Sequence, residues 1–208
     1  MNATASNTPV LKQHPGIGRS LVAAFLQRPG SKVIACVRNP SHTTATSLND
    51  LPRATNATLV LLALDCADPN AAITAIETLQ KKHPNITSID VVIPNAAIAS
   101  NFGPTSTMPT GVLENHMQVN CYSVLQLFQA TKPLLEKSKQ NPRFLFIGAP
   151  ISTITAMAET GRAPLGAYSV SKLAANFVVR KLHYENKWLI AFIVDPGYVI
   201  EPPPICRD

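Results

Sequence analysis

The length, composition and charge of the chain exclude several classes of protein. Its 208 residues suffice for one domain with a buried core. Hydrophobic residues make up 46% and charged residues 14%, which excludes a disordered chain and favours a well-buried α/β domain. The net charge of +6 is scattered and no nucleic-acid-binding motif accompanies it, so polynucleotide binding is not expected.

Cysteine spacing and hydropathy indicate the compartment. The four cysteines show no CxxC pairing and no histidine at metal-ligand spacing, so we expect reduced thiols and no metal. No apolar run approaches the roughly 20 residues needed to span a bilayer. These patterns predict a cytoplasmic protein without a membrane contact.

Apolar and amphipathic stretches alternate along the chain. The expected strands are nearly continuous in Val, Ile and Leu, which is typical of parallel strands covered on both faces; they are residues 32–37, 58–64, 89–94, 143–147 and 189–194. Amphipathic patterns predict helices at 18–27, 69–82, 110–138 and 167–182. Asp68 is expected to cap the second helix, with Pro69 at its first position. The alternation predicts a three-layer, Rossmann-like, doubly wound parallel sheet, which binds ligands at the carboxyl ends of its strands.

The residues Gly16, Ile17 and Gly18 open the first helix. Small residues there let backbone N–H groups approach a pyrophosphate at the positive end of the helix. A Gly-x-Gly before a helix is by itself more often a turn. Its position in the first β-α-β unit favours a dinucleotide site.

The end of the next strand indicates which dinucleotide would bind. Folds that select NAD place an acid about 20 residues after the glycines, where it holds the ribose 2′-hydroxyl. Here the stretch is Val37-Arg38-Asn39. Arg38 could pair with a 2′-phosphate or be a solvated surface arginine, and the upstream glycines favour NADP(H).

Two further polar residues follow strands, Asp65 after the strand expected at 58–64 and Asn95 after the strand expected at 89–94. Both positions meet a cofactor in such a sheet. The alternatives are a loop cap for Asp65 and a turn residue for Asn95.

Tyr168 and Lys172 are the most specific pair in the chain. Their spacing places the phenol and the ammonium on one face of a helix. A nearby ammonium lowers the pKa of a phenol, which makes the phenol a better proton donor and acceptor at neutral pH. A surface pair is the alternative, and the preceding order of strands favours the catalytic interpretation.

In chain order these motifs resemble the series of the short-chain dehydrogenases/reductases, namely Gly16-x-Gly18, Asn95-Ala96-Ala97, Asn120, Tyr168-x-x-x-Lys172 and Asp195-Pro196-Gly197. Longer stretches are similar to the fungal norsolorinic acid ketoreductases of aflatoxin-type polyketide pathways; they include Asn101-Phe102-Gly103-Pro104, Ile147-Gly148-Ala149-Pro150-Ile151-Ser152 and Ser171-Lys172-Leu173-Ala174-Ala175-Asn176.

The resemblance implies an NADPH-dependent reduction of a ketone, with an aromatic polyketide as the substrate. Tyr168 would protonate the developing alkoxide, and Lys172 would lower the tyrosine pKa and hold the nicotinamide ribose. Asn120 would anchor a proton-relay water. Gly148 and Ala149 displace the family's carbonyl-polarising serine, so Ser152 is the nearest replacement and Thr153 the second.

The resemblance also implies that Val199 presents its backbone to the nicotinamide amide. Self-association into a homodimer or homotetramer, through the long helix and the Tyr168 helix, is implied as well.

The two ends depart from the family pattern. Leu11 and Lys12 stand where the glycine loop begins with Thr-Gly, and Pro9 interrupts the expected first strand, which we expect to be degenerate. Near the other end, Pro202-Pro203-Pro204 neither continues a strand nor starts a helix, so the last strand is expected to be missing. We therefore expect one domain over residues 1–208, irregular at 1–9 and 201–208. The alternative to a working reductase is a truncated, non-catalytic remnant that folds partly or only with a partner.

Overall fold

The computed structural model describes residues 7–11 and 16–197. Six strands and seven α-helices alternate along them. The strands are β1 (Asn7–Leu11), β2 (Lys32–Val37), β3 (Thr58–Ala63), β4 (Val91–Val92), β5 (Arg143–Ile147) and β6 (Ile190–Val194). The helices are α1 (Ile17–Leu26), α2 (Thr43–Thr46), α3 (Ala71–Lys82), α4 (Thr110–Met117), α5 (Ser123–Leu135), α6 (Met157–Thr160) and α7 (Gly166–Glu185).

All strand pairs are parallel, as the sequence predicts. One hydrogen-bonded ladder joins β1, β2 and β3 in that order, and a second joins β4, β5 and β6. Because β1 and β4 lie side by side, the strands run in the spatial order β3-β2-β1-β4-β5-β6. The direction of winding therefore reverses between β1 and β4, and such a reversal leaves a crevice at the carboxyl ends of the strands.

The continuous apolar strands are explained by burial on both faces. In β2, Val33, Ala35 and Val37 pack with α1, whereas Ile34 and Cys36 pack with α3 and α5. The alternating directions of strand side chains thus supply two cores, one on each side of the sheet. The three-layer prediction is confirmed.

The first strand forms although the sequence predicts a degenerate one. β1 is short and contains Pro9, yet it pairs in register with β2 from Asn7 opposite Lys32 to Leu11 opposite Cys36. A proline removes one amide donor, and the other residues of the strand keep theirs. The expected loss of the last strand falls on residues 198–208, which lie outside the described residues.

The start of α3 differs from the prediction. The N-cap is Asn70 rather than Asp68, and Pro69 precedes the helix. The carboxylate of Asp68 accepts a hydrogen bond from the Asn70 backbone N–H at 2.8 Å. Asp68 therefore closes the turn before the helix, which displaces the helix start by two positions.

The long helix predicted at 110–138 is divided by one turn of a different kind. α4 and α5 are joined by a π-helical turn, Gln118–Tyr122. Such turns interrupt α-helices frequently at functional sites. This one contains Asn120, one of the expected site residues.

Candidate active site

The expected site residues gather at the carboxyl edge of the sheet. The start of α1 follows β1, and Arg38, Asp65 and Asn95 follow β2, β3 and β4 respectively. On the other side of the winding reversal, α7 contacts β5 and β6 and carries Tyr168. The fold therefore brings both groups of residues to one crevice, because parallel strands end at the same edge.

The start of α1 has the features of an anion site. Its N-cap is Gly16, no side chain of the described residues caps it, and its first turn holds no acidic residue. Gly18 is buried in the helix and Ile17 is partly buried. Uncapped N–H groups at the positive end of a ten-residue helix suit a phosphate group.

Arg38 and Asp65 both lie near Cys66, and the charge of each affects the pKa of its thiol. Burial raises the pKa of Cys66 to about 11; Asp65 adds to this rise, and the Arg38 guanidinium opposes it. Both charged side chains are exposed. The Asp65 carboxylate accepts a hydrogen bond from the Ala67 N–H at 3.0 Å, so the loop-cap interpretation of Asp65 describes a contact that exists. An exposed guanidinium at the end of β2, with no acid in its place, fits an extra phosphate.

Tyr168 and Lys172 are placed on one face of α7, as their spacing predicts. The lysine ammonium nitrogen lies 6.0 Å from the centre of the tyrosine ring and 4.1 Å from that of Phe146. Lys172 Nζ donates a short hydrogen bond to the Ile147 carbonyl at the end of β5. The lysine is therefore tied to the strand edge beneath the tyrosine.

Burial changes the acid–base properties of both groups. It lowers the pKa of Lys172 to about 8, because the charged form loses its hydration. Burial also raises the pKa of Tyr168, and the nearby Asp195 carboxylate adds to that rise, so the expected lowering of this pKa by Lys172 is wrong for the chain without a cofactor. In this arrangement the phenol is thus held in its protonated form, which is the form that can donate a proton.

Asn120 is fully buried, and its side-chain amide is saturated with partners. Its oxygen accepts from the Ile98 N–H at 2.8 Å, and its nitrogen donates to the Ile98 carbonyl and to Ser171 Oγ at 2.9 Å each. Ser171 Oγ in turn donates to the Tyr168 carbonyl at 2.8 Å. The amide therefore links the loop after β4 to the tyrosine helix.

Ser152 is buried and already engaged. Its hydroxyl donates to the Ala149 carbonyl at 2.5 Å and accepts from Asn176 Nδ2 at 2.8 Å. The other amide atom of Asn176, Oδ1, is buried without a hydrogen-bond partner among the described residues. Thr153, the second candidate, is exposed and donates to the Pro150 carbonyl at 3.2 Å. The Ser152 hydroxyl would have to release Ala149 to reach a substrate.

The remaining expected residues are placed less tightly. Asn95 is partly buried just beyond β4. The Asp195 carboxylate accepts from the Gly197 N–H at 2.9 Å, and Gly197 has a φ of +68°, a conformation that glycine adopts without strain. Val199 lies outside the described residues.

Sequence reasoning missed three residues of this network: His116, Ser171 and Asn176. A signal for two of them was present, because His116 precedes Asn120, and Asn176 follows Lys172, by one helical repeat of four residues. Ser171 is adjacent to Lys172 and turns toward Asn120 only because α4 and its π turn pack against α7. Such a pairing across distant parts of the chain leaves no mark in the sequence.

Known proteins resemble this chain over most of its length. The family model described as short chain dehydrogenase matches residues 12–200. The chain belongs to this family. Its members are oxidoreductases that use a nicotinamide cofactor, and the uncapped α1 start together with exposed Arg38 fits such an anionic group.

The similar proteins include fungal reductases. Over 185 residues the chain is 58% identical to a norsolorinic acid ketoreductase of Dothistroma septosporum, which covers 88% of this chain and 68% of that protein. It is 53% identical to a norsolorinic acid ketoreductase of Aspergillus parasiticus over 88% of this chain and 67% of that protein.

Solved structures share the fold. An NADPH-bound carbonyl reductase from chicken fatty liver superposes with a TM-score of 0.81 at 21% identity, over 95% of this chain and 84% of that chain. At this identity the likeness concerns the fold alone. Among the described residues, no helix is both long and apolar enough to cross a membrane.

Proposed function

We propose that the chain is an NADPH-dependent ketoreductase that reduces a ketone to a secondary alcohol. The observation that carries the proposal is the Tyr168–Lys172 pair, which α7 holds at the carboxyl edge of the sheet with the lysine bonded to Ile147. A phenol held protonated beside a crevice that suits a dinucleotide is arranged to give a proton to a reducing carbonyl.

The chain's own residues have distinct roles in this reaction. The N-terminus of α1 would bind the pyrophosphate, and Arg38 would pair with the 2′-phosphate that distinguishes NADPH from NADH. Asp65, Asn95 and the segment that includes Val199 would line the adenine and nicotinamide ends. When bound, the cofactor supplies a hydride to the carbonyl carbon.

Proton transfer would then complete the alcohol. Tyr168 donates its phenolic proton to the carbonyl oxygen as negative charge develops there, and a proton from solvent later restores the phenol. Lys172 would hold the nicotinamide ribose, and its ammonium would stabilise the transient phenolate. Asn120 fastens α7 to the loop after β4, since its amide is bonded to Ser171 and Ile98. A relay water, as the resemblance implies, would have to bind beside this amide without replacing those bonds. Ser152 would polarise the carbonyl once its hydroxyl turns from Ala149.

The substrate class follows from the relatives. The similar fungal proteins are named for the reduction of norsolorinic acid, and we assign an aromatic polyketide ketone to this chain on that basis.

Cys36, Cys66 and Cys121 are buried free thiols, which supports the expected cytoplasmic location.

We also propose that a second copy of the chain binds the outer face of α7. Val170, Phe177 and Tyr184 lie one heptad apart on this helix and are 44%, 68% and 69% exposed. Large apolar side chains repeated along one helix face favour a partner helix. Sedimentation of the Phe177→Glu variant should show a smaller species than the wild type. The Ile73→Glu variant, which changes an exposed residue of α3, should sediment as the wild type.

The direct test is cofactor binding followed by a ketone screen. Purified protein is titrated with NADPH and with NADH by fluorescence, and its melting temperature is measured with each. Tighter binding of NADPH with a raised melting temperature, and NADPH consumption on addition of an aromatic ketone, would support the proposal. Absence of binding and of a cooperative melt would favour the non-catalytic remnant.

A further inference from the structure

His116 is a fully buried side chain near the end of α4 that has no part in the reaction described above. Its Nδ1 lies 2.8 Å from the Val112 carbonyl oxygen, one turn earlier in the same helix. Its Nε2 accepts a hydrogen bond from the Ser100 backbone N–H at 3.2 Å. Both ring nitrogens therefore have a backbone partner.

These two partners determine the form of the ring. A carbonyl oxygen can only accept a hydrogen bond and a backbone N–H can only donate one. The hydrogen must therefore be on Nδ1, and Nε2 must present its lone pair to Ser100. The neutral ring satisfies both partners, which is what a fully buried polar group requires.

His116 and Asn120 act on the same loop. They lie four residues apart, so they project from one face of the helix. Asn120 binds the N–H and the carbonyl of Ile98, and His116 binds the N–H of Ser100. The segment from Ile98 to Ser100 is thus fastened at both of its ends.

This loop connects the two sides of the proposed site. It begins after Asn95, at the end of β4. It then runs to Gly103, whose N–H donates to the Pro164 carbonyl at 3.3 Å and which forms a parallel bridge with Leu165. Those residues immediately precede α7, the helix that carries Tyr168.

Contact between the loop and α7 is close. A Cβ atom added to Gly166 would lie 2.4 Å from Thr105 Oγ1. A displacement of the loop would therefore change the contacts of the first turn of α7, the helix that carries Tyr168. The loop can fix the position of α7 only if the start of the loop is itself fixed. The hydrogen bond from the Ser100 N–H to His116 fixes that start.

We propose that His116 is a positioning residue for ketone reduction, which holds the loop between the nicotinamide end of the cofactor site and the start of α7. The inference rests on the proposed function. It assigns His116 no contact with substrate or cofactor. Its effect reaches the reaction through the Ser100 N–H and the loop that follows.

Two substitutions separate the two hydrogen bonds of the ring. In His116→Gln the side-chain amide reaches the position of Nε2 and can accept from Ser100. In His116→Asn the shorter amide reaches only the position of Nδ1 and can still donate to Val112. The pair is matched in chemistry, and each variant removes one partner of the histidine.

Two measurements are made on the full chain with both variants. Amide hydrogen exchange at Ser100 should be faster than in the wild type for His116→Asn and close to the wild type for His116→Gln. With NADPH saturating, kcat for ketone reduction should fall roughly tenfold for His116→Asn and stay within about threefold for His116→Gln, since one buried hydrogen bond is at stake.

The outcomes are distinguishable from failure of the proposed function. If the wild type reduces no ketone, the proposed function fails, and exchange at Ser100 still decides whether His116 holds the loop. Equal exchange in the two variants overturns the inference. Different exchange with equal kcat also overturns it, because a purely structural clamp would lower the melting temperature without changing turnover of the folded protein.

Discussion

The two halves of the sheet present functional groups in different ways. On the β1–β3 side, the groups expected to bind the cofactor are the exposed charges of Arg38 and Asp65 and the uncapped backbone at the start of α1. On the β4–β6 side, the polar groups are buried and hydrogen-bonded, Asn120 to Ser171 and Lys172 to the Ile147 carbonyl. Exposed groups can change affinity without changing the fold, whereas buried ones take part in both. Substitutions on the β1–β3 side should therefore change mainly cofactor affinity, whereas those on the β4–β6 side should change both turnover and stability.

The largest effect is expected on the buried side, at the proton donor. Tyr168→Phe should lower ketone turnover by about 10²–10⁴-fold, the usual contribution of a positioned acid, and leave NADPH affinity nearly unchanged. Steady-state rates and fluorescence titration measure the two quantities. Tyr184→Phe, which changes an exposed tyrosine of the same helix, is the control. Turnover near the wild-type rate in Tyr168→Phe would remove the phenol from the mechanism.

Lys172→Met should separate function from stability. Turnover should be lost, because the ribose contact and the charge beneath the phenol are removed. The free energy of unfolding at pH 7 should nevertheless rise by about 2 kcal/mol, since a burial cost of roughly 3 kcal/mol disappears and one hydrogen bond is lost.

The sign of this stability effect depends on pH. The pKa of Lys172 in the folded protein is about 8, below the ordinary lysine pKa of 10.5, so the buried charge costs stability at low pH. That cost is relieved as the pH rises from about 8 to 10.5, where the folded lysine is already neutral. The advantage of Lys172→Met over the wild type should shrink across this window in urea melts. Lys181→Met, an exposed lysine of α7, should show no such trend, and a constant difference for Lys172→Met would contradict the burial argument.

On the exposed side, Arg38→Asp should change cofactor preference and leave stability alone. An aspartate at this position would repel the 2′-phosphate and could accept the ribose hydroxyl, so the ratio of NADPH to NADH affinity should fall by roughly 10–100-fold. The melting temperature should stay within about 1 °C of the wild type. Arg53→Asp, at an exposed arginine beyond α2, serves as the control. An unchanged ratio would assign Arg38 to the solvated surface.

The smallest effect tests how tightly the β4–β6 side is packed. A Cβ at Gly148 would lie 2.7 Å from Ile193 Cγ2, whereas a Cβ at Gly103 would meet no atom within 4 Å. Gly148→Ala should therefore destabilise the fold by about 1–3 kcal/mol, and Gly103→Ala should be close to neutral. Denaturant melts measure the free energy of unfolding of both variants. Equal losses would mean that the residues around the end of β5 shift to accommodate the added methyl group.

Gly148 and Ala149 displace the family's carbonyl-polarising serine, and the position of Gly148 is tightly packed. A serine at this position would place its Cβ 2.7 Å from Ile193 Cγ2, so Ile193 would have to shift to accommodate it. The hydroxyl nearest along the chain, that of Ser152, is bound to Ala149 and Asn176. The sequence shows the displacement of the serine, and the packing shows that Ile193 lies beside the position that it would occupy.

Local pattern was sufficient for most of the fold. The bounds of β2 and β5 agree with their apolar runs, because strands buried on both faces leave continuous hydrophobic segments. The bounds failed where side-chain hydrogen bonds decide them, as at Asp68 before α3. They also failed at β4. All six residues of the run 89–94 are buried, but the hydrogen-bonded ladder extends over only Val91–Val92.

The order of elements, the family and the Tyr168–Lys172 pair could be predicted from the sequence, because apolar runs, ordered motifs and helical spacing are patterns along the chain. Tertiary structure alone decided the environment of that pair. The hydrogen bond from Lys172 to Ile147, the link from Asn120 to Ser171, and the His116 contact with Ser100 join residues that are distant in the chain. Burial lowers the pKa of Lys172, and packing orients all of these side chains; both are fixed only when helices and sheet pack together.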